Sequence, residues 1–309
     1  MTTLLVLAVS CMAASAFTLS GGRQHHKLSM HFEEALIGNT ALAQGALNAE
    51  RYVATNRFNV RKGQEAKFEK RWADRKSRIS QLKGFRFFTL LKRVEALGAD
   101  YSKDGDEGNY ISMTVWEDKD CFDAWRTGDA FKEAHGGGGL TSFIQLITTA
   151  LFILDGKPRP AFYDGLLPAA SSDPMPFVSA EGWRKVDADG VNLLSPDVFV
   201  AQNRFVVKAG KELEFEQRWA SRESKLNSVP GFLGFYMLRR DAAKADDNFN
   251  YISTSLWKDM DSFKAWQSSP EFSSVHAKAS PSSGESIYEG PPRVAFYEGK
   301  LALSSPKGP

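Results

Sequence analysis

Three kinds of side chain recur in pairs along this sequence where ordinary packing would not put them: Asn56 with Asn203, His135 with His276, and Trp116 with Trp257. Asn56 shares its strand parity with Ala54, Phe58 and Val60, and Asn203 shares its own with Ala201, Phe205 and Val207. An amide on an apolar face must find hydrogen-bond partners or line a cavity. Beyond the first residues of the chain His135 and His276 are the only histidines, each one helical turn after a phenylalanine, Phe131 or Phe272. That spacing puts imidazole and ring on the same side of a helix. Imidazole is a neutral ligand for iron and a ready acid or base near neutral pH. Trp116 and Trp257 end strands on the face carrying Tyr110, Ser112 and Thr114, or Tyr251, Ser253 and Ser255. Indole beside hydroxyls suits a pocket wall, whereas Trp72, Trp125, Trp219 and Trp266 read as core.

The elements that position these residues repeat as well. Asn56-Arg57-Phe58 matches Asn203-Arg204-Phe205, and Phe68-Glu69-Lys70-Arg71-Trp72 matches Phe215-Glu216-Gln217-Arg218-Trp219. Further on, Asn109-Tyr110-Ile111-Ser112 matches Asn250-Tyr251-Ile252-Ser253, and Ala161-Phe162-Tyr163 matches Ala295-Phe296-Tyr297. The chain is a tandem duplication. Apolar spacing alternates between period two and helical period, giving strand, helix, strand, strand, helix, strand in each copy. Phe68, Trp72, Ile79 and Leu82 fit one face of a single helix, as do Phe215, Trp219, Leu226 and Val229, with Gly84 and Gly231 ending it. Asp118 and Asp259 are the expected N-caps of the second helix.

With 309 residues, 42% hydrophobic and 12% aromatic, the chain is long enough for two ordinary domains. Leu4 to Ala14 is apolar but too short to span a bilayer, and Ala14-Ser15-Ala16 has the look of a signal-peptidase site. The following stretch is basic and free of acids up to Glu33, as in a transit peptide, and Ala16-Phe17 resembles the junction of two-part plastid presequences in diatom-type algae. Plastid delivery is the expectation, with secretion as the alternative. No later segment is long and apolar enough to span. Apart from this region the charges balance, which excludes a basic nucleic-acid footprint. Of two cysteines, Cys11 falls in the presequence, leaving Cys121, matched by Ser262, without a disulfide partner and without a catalytic role. Gly136 to Gly139 have no glycine counterparts in the second copy, so they suit a loop better than a phosphate cradle.

The motifs together, Asn-Arg-Phe, Phe-x-x-Arg-Trp, Trp116-Glu117-Asp118 and Phe131-Lys132-Glu133-Ala134-His135, resemble the antibiotic-biosynthesis-monooxygenase superfamily, and within it the IsdG-type heme-degrading monooxygenases. Trp257-Lys258-Asp259 and Phe272-Ser273-Ser274-Val275-His276 are looser matches. The resemblance implies an α+β fold: two tandem ferredoxin-like domains forming an intramolecular pseudo-dimeric barrel. It divides the chain into a signal peptide (1–16), a transit-like segment and lead-in (17–51), domain 1 (52–166), a linker holding Trp183 (167–197), domain 2 (198–301) and a tail (302–309). It also implies that His135 and His276 are axial ligands of heme iron and that Asn56 and Asn203 hydrogen-bond oxygen on the distal side. Trp116 and Trp257 would press on the porphyrin. Heme would be cofactor and substrate, with molecular oxygen and an electron donor as partners. Quinone- or polyketide-type monooxygenases share the fold, so that reading stays open beside a heme-binding protein without turnover.

Overall fold

The computed structural model describes residues 47–75, 77–97, 108–134, 148–171, 194–222, 226–241, 249–277 and 286–309. The presequence and Trp183 lie outside the described residues, and Asn48–Pro309 form one compact unit. The first copy contributes β1 (Arg51–Phe58), α1 (Glu65–Ala73), β2 (Phe85–Arg93), β3 (Tyr110–Trp116), α2 (Lys119–Thr127), α3 (Asp129–Ala134) and β4 (Arg159–Ala170). The second contributes β5 (Val198–Phe205), α4 (Glu212–Ala220), β6 (Phe232–Arg240), β7 (Tyr251–Trp257), α5 (Met260–Gln267), α6 (Pro270–Ala277) and β8 (Arg293–Ser304).

All eight strands close into one antiparallel barrel in the order β1-β3-β2-β8-β5-β7-β6-β4. The last strand of each copy makes the closure. β4 pairs with β1 of its own copy and with β6 of the other, while β8 pairs with β5 and with β2. A closed barrel has no exposed strand edge, so the two copies consume each other's pairing groups. Both seam strands slip register at matching places, marked by the left-handed backbones of Leu167 (φ 49) and Leu301 (φ 55). β4 thereby continues past Leu166 to Ala170, and β8 continues past Leu301 to Ser304.

Strand alternation sorts the side chains into two cores. Val53, Ile111, Met113, Val200, Ile252 and Tyr297 fill the barrel. A space of only about 20 Å³ remains there, beside Arg57 and Arg204. It admits one water. The helix side carries Tyr52, Phe58, Tyr110 and Trp116 in the first copy, covered by Phe68 and Trp72 of α1 and Phe122 of α2.

The helices depart from the expected pattern in two places. α1 stops at Ala73 and α4 at Ala220; Ile79 and Leu226 begin separate single turns of 3-10 helix. Arg71 and Arg75 would be like-charged neighbours one turn apart on a continued helix, as would Arg218 and Arg222. Instead Arg75 lays its guanidinium over Trp72 at 4.0 Å, and Arg222 lies over Trp219 at 3.8 Å. Ile79 still reaches the core, so the apolar face persists where the rod does not. The second helix is likewise divided, at the extended Gly128 in the first copy and before Pro270 in the second. Its caps are as expected: Asp118 accepts from the Cys121 N–H and Asp259 from the Ser262 N–H, both at 2.7 Å. Gly84 has φ 75, and a Cβ there would lie 2.4 Å from Cys121 Sγ, so the close approach of strand and helix requires glycine.

Candidate functional site

Asn56 lies on the helix-side face of β1, opposite Ser112 of β3 and Pro160 of β4. Asn203 holds the matching place opposite Ser253 and Val294. Both are half-buried. On either side of Asn56 along β1 stand Phe58 and Tyr52, two parts of one aromatic cluster. Phe58 touches Phe68 and Trp72, with ring centres 5.3 and 6.0 Å away, and Tyr110 lies 4.9 Å from Phe68. Tyr52 touches Phe122 at 5.2 Å, and Phe122 joins Trp116 and Trp125. The amide is therefore a polar group between two aromatic walls, one under α1 and one under α2.

The two amides differ in what they bond. Asn203 Nδ2 donates to Ser253 Oγ at 3.3 Å. Asn56 Oδ1 is enclosed and has no partner. A buried acceptor left unmatched costs free energy unless something from outside the chain bonds it, which marks the first amide as a group directed at a ligand or ordered water.

Trp116 and Trp257 end β3 and β7 inside the helix–sheet cores. Both are fully buried, at 0% exposure. Each strand tryptophan lies beneath a helix tryptophan: Trp125 stacks on Trp116 with centres 5.3 Å apart, and Trp266 lies 5.2 Å from Trp257. Trp125 and Trp266 are half-buried. Trp125 also lines a groove of about 630 Å³ with Arg78, Lys83, Asp118 and Cys121, which neither Asn56 nor Trp116 borders. The surface-reaching member of each pair is thus the tryptophan that spacing alone assigns to the core.

His135 lies outside the described residues. His276 falls near the end of α6, and its side chain lies outside them too. The rings leading to both are in place, with Phe131 5.0 Å from Trp125 and Phe272 4.7 Å from Trp266, edge to face in both copies. Among the described residues no three His, Cys, Asp or Glu side chains gather as a metal site. Burial, followed by the Asp118 carboxylate, pushes the Cys121 thiol up to about 11, which suits a group without a nucleophilic task.

Two further repeated pairs have structural work. Tyr110 donates to Glu69 Oε1, and Tyr251 to Glu216 Oε1, each at 2.7 Å inside the helix–sheet core. Burial and then the carboxylate raise both phenol pKa values. Asn109 clamps Val60 through both its amide groups, and Asn250 does the same to Val207. Retention of Glu and Asn in both copies was the signal available in the sequence.

A model of the family described as antibiotic biosynthesis monooxygenase matches residues 51–137 and 198–278, more than half of the chain. The chain belongs to the antibiotic biosynthesis monooxygenase family. This member carries the domain twice and closes both copies into one barrel. Among its relatives, a staphylobilin-producing heme oxygenase of Staphylococcus saprophyticus is 38% identical over 90 residues, covering 29% of this chain and 78% of that protein. A mycobilin-producing heme oxygenase of Mycobacterium tuberculosis is 34% identical over 90 residues, covering 28% and 81%. The crystal structure of a Fusobacterium nucleatum protein described as a monooxygenase superposes with a TM-score of 0.52 over 84% of this chain and 96% of its own, at 12% identity. That last likeness concerns the fold.

Proposed function

We propose that this antibiotic biosynthesis monooxygenase domain pair degrades heme, opening the porphyrin with oxygen and external electrons and releasing iron. The observation that carries the reading is Asn56, a half-buried amide between the Tyr52 and Phe58 rings that makes no bond to Ser112 like the one Asn203 Nδ2 makes to Ser253, which leaves its N–H groups to donate to a ligand. The heme oxygenases that match single domains of this chain support it.

In this reading the aromatic clusters form an apolar slot that keeps water from a planar macrocycle. His135 and His276 hold the iron, since imidazole is the usual protein ligand for it. The amides of Asn56 and Asn203 would donate hydrogen bonds toward the oxygen co-substrate, where heme would supply the oxygen-activating chemistry. The ring in contact with the macrocycle is Trp125, or Trp266 in the second copy, because Trp116 and Trp257 are enclosed beneath them. The electron donor is a separate molecule. We further propose that residues 1–50 direct the protein to a plastid; secretion of a reporter fused to them would contradict this.

The test is to supply the chain with hemin, a reductant and oxygen, then follow the Soret absorbance and an iron(II) chelator. Loss of the Soret band with stoichiometric iron release supports the reading. Stable bound heme under these conditions would indicate a carrier, and no heme binding at all would favour the quinone-type chemistry of the fold.

A further inference from the structure

The hydroxyl of Tyr52, at the start of β1, donates to Asp241 Oδ2 at 2.8 Å. Lys119, opening α2, donates to the same oxygen at 2.6 Å, and its ammonium lies 5.4 Å from the centre of the Tyr52 ring. Tyr52 and Lys119 belong to the first copy, whereas Asp241 directly follows β6 of the second. The Asp241 backbone N–H donates to Phe162 O across the seam at 3.0 Å, which fixes where its carboxylate falls.

The pseudo-twofold repeats this backbone contact without its chemistry. Val94 directly follows β2 as Asp241 follows β6, and its N–H donates to Phe296 O at 3.0 Å. The residues standing where Tyr52 and Lys119 stand are Phe199 and Met260, and Val94 packs with them in one apolar cluster. All three positions change together. One seam joins a phenol, an ammonium and a carboxylate; the other joins a phenyl ring, a thioether and an isopropyl group.

We propose that these six residues are a pairing code that makes each copy fit the other and not itself. Two first copies joined through the same seams would set Val94 against Tyr52 and Lys119, leaving phenol and ammonium without their acceptor. Two second copies would set the Asp241 carboxylate against Phe199 and Met260, with no donor to meet it. The first mismatch leaves the hydroxyl of buried Tyr52 without its acceptor and the second sets the Asp241 carboxylate, 24% exposed, against apolar groups, while Lys119, 54% exposed, keeps its water; the mixed pairing satisfies all three. The partner selected is a copy of the other type; the covalent link between the copies, by raising their effective concentration, makes that the other half of the same chain.

Chemical denaturation of the full chain tests the code as a thermodynamic cycle. Asp241→Val alone and Tyr52→Phe/Lys119→Met should each lower the midpoint, while the combined triple variant, which copies the apolar seam, recovers most of the loss. A triple variant whose loss equals the sum of the two partial losses would overturn the proposal. Selection is read separately, by cutting a protease site placed within residues 172–193 of the folded protein, unfolding and refolding the mixture, and weighing the pairs by native mass spectrometry. The natural sequence should return only mixed pairs, and the triple variant should also return pairs of like copies. Like pairs in statistical proportion from the natural sequence would overturn the code; if the cut halves do not refold, the cycle alone decides.

Discussion

The Trp257 indole donates to Ser255 Oγ at 3.0 Å, while the Trp116 indole, in the matching place of the first copy, is enclosed without an acceptor. The residue standing where Ser255 stands is Thr114, whose hydroxyl donates to Ala54 O at 3.3 Å and does not meet the indole. The second tryptophan is therefore tied to its own strand and the first is held by packing alone. Ser255→Ala should leave a buried N–H unmatched and cost about 1–3 kcal/mol in the unfolding free energy. A loss no larger than a few tenths of a kcal/mol would show that the bond contributes nothing.

The strand and helix tryptophans should separate by substitution. Trp116→Ala empties a fully enclosed site and should cost ~3–5 kcal/mol, seen as a lower denaturation midpoint. Trp125→Ala removes a half-buried ring; it should cost less stability, yet alter the absorption spectrum of bound heme and slow its loss. Equal spectra for Trp125→Ala and the natural protein would return the wall to some other residue.

The repeat, the apolar strand face of Asn56 and the Asp118 and Asp259 caps were legible in the sequence, because each follows from local spacing or from a short-range hydrogen bond. The early end of α1 was not. Ile79 and Leu82 keep helical spacing and still reach the core, and the charge conflict between Arg71 and Arg75 carries no weight in an apolar pattern. Nor was the difference between Trp116 and Trp125, since their burial is decided by α2 lying across the end of β3. Contacts between copies, such as Tyr52 with Asp241, connect residues far apart in sequence and leave no periodic trace.

Cys121 should be slow to react despite lying beside a groove. With its pKa raised to about 11 by burial and by Asp118, its thiolate fraction at pH 8 is ~10²-fold below that of a free thiol. In a Cys11→Ser chain, alkylation by iodoacetamide should be slower by that factor and should keep accelerating through pH 10, where an ordinary thiol levels off. A rate half-risen near pH 8.5 and level by pH 10 would contradict the buried, proton-holding environment.

The amides should act on turnover more than on binding. Asn56→Ala should retain heme while slowing its degradation ~10²-fold, the scale of losing one donor to a developing charge. Asn203→Ala should have the smaller effect, because that amide is already engaged by Ser253. Equal effects on affinity and rate would place the amide in resting binding instead.

The most direct test is a hemin titration of the full chain, natural sequence against His135→Ala/His276→Ala, followed by absorbance and then by exposure to reductant and oxygen. The account expects a saturable Soret shift and heme loss for the natural sequence, and neither for the double variant. Unchanged affinity and unchanged degradation in the double variant would contradict iron ligation by these histidines, and absence of heme binding by the natural sequence would contradict the proposed function itself.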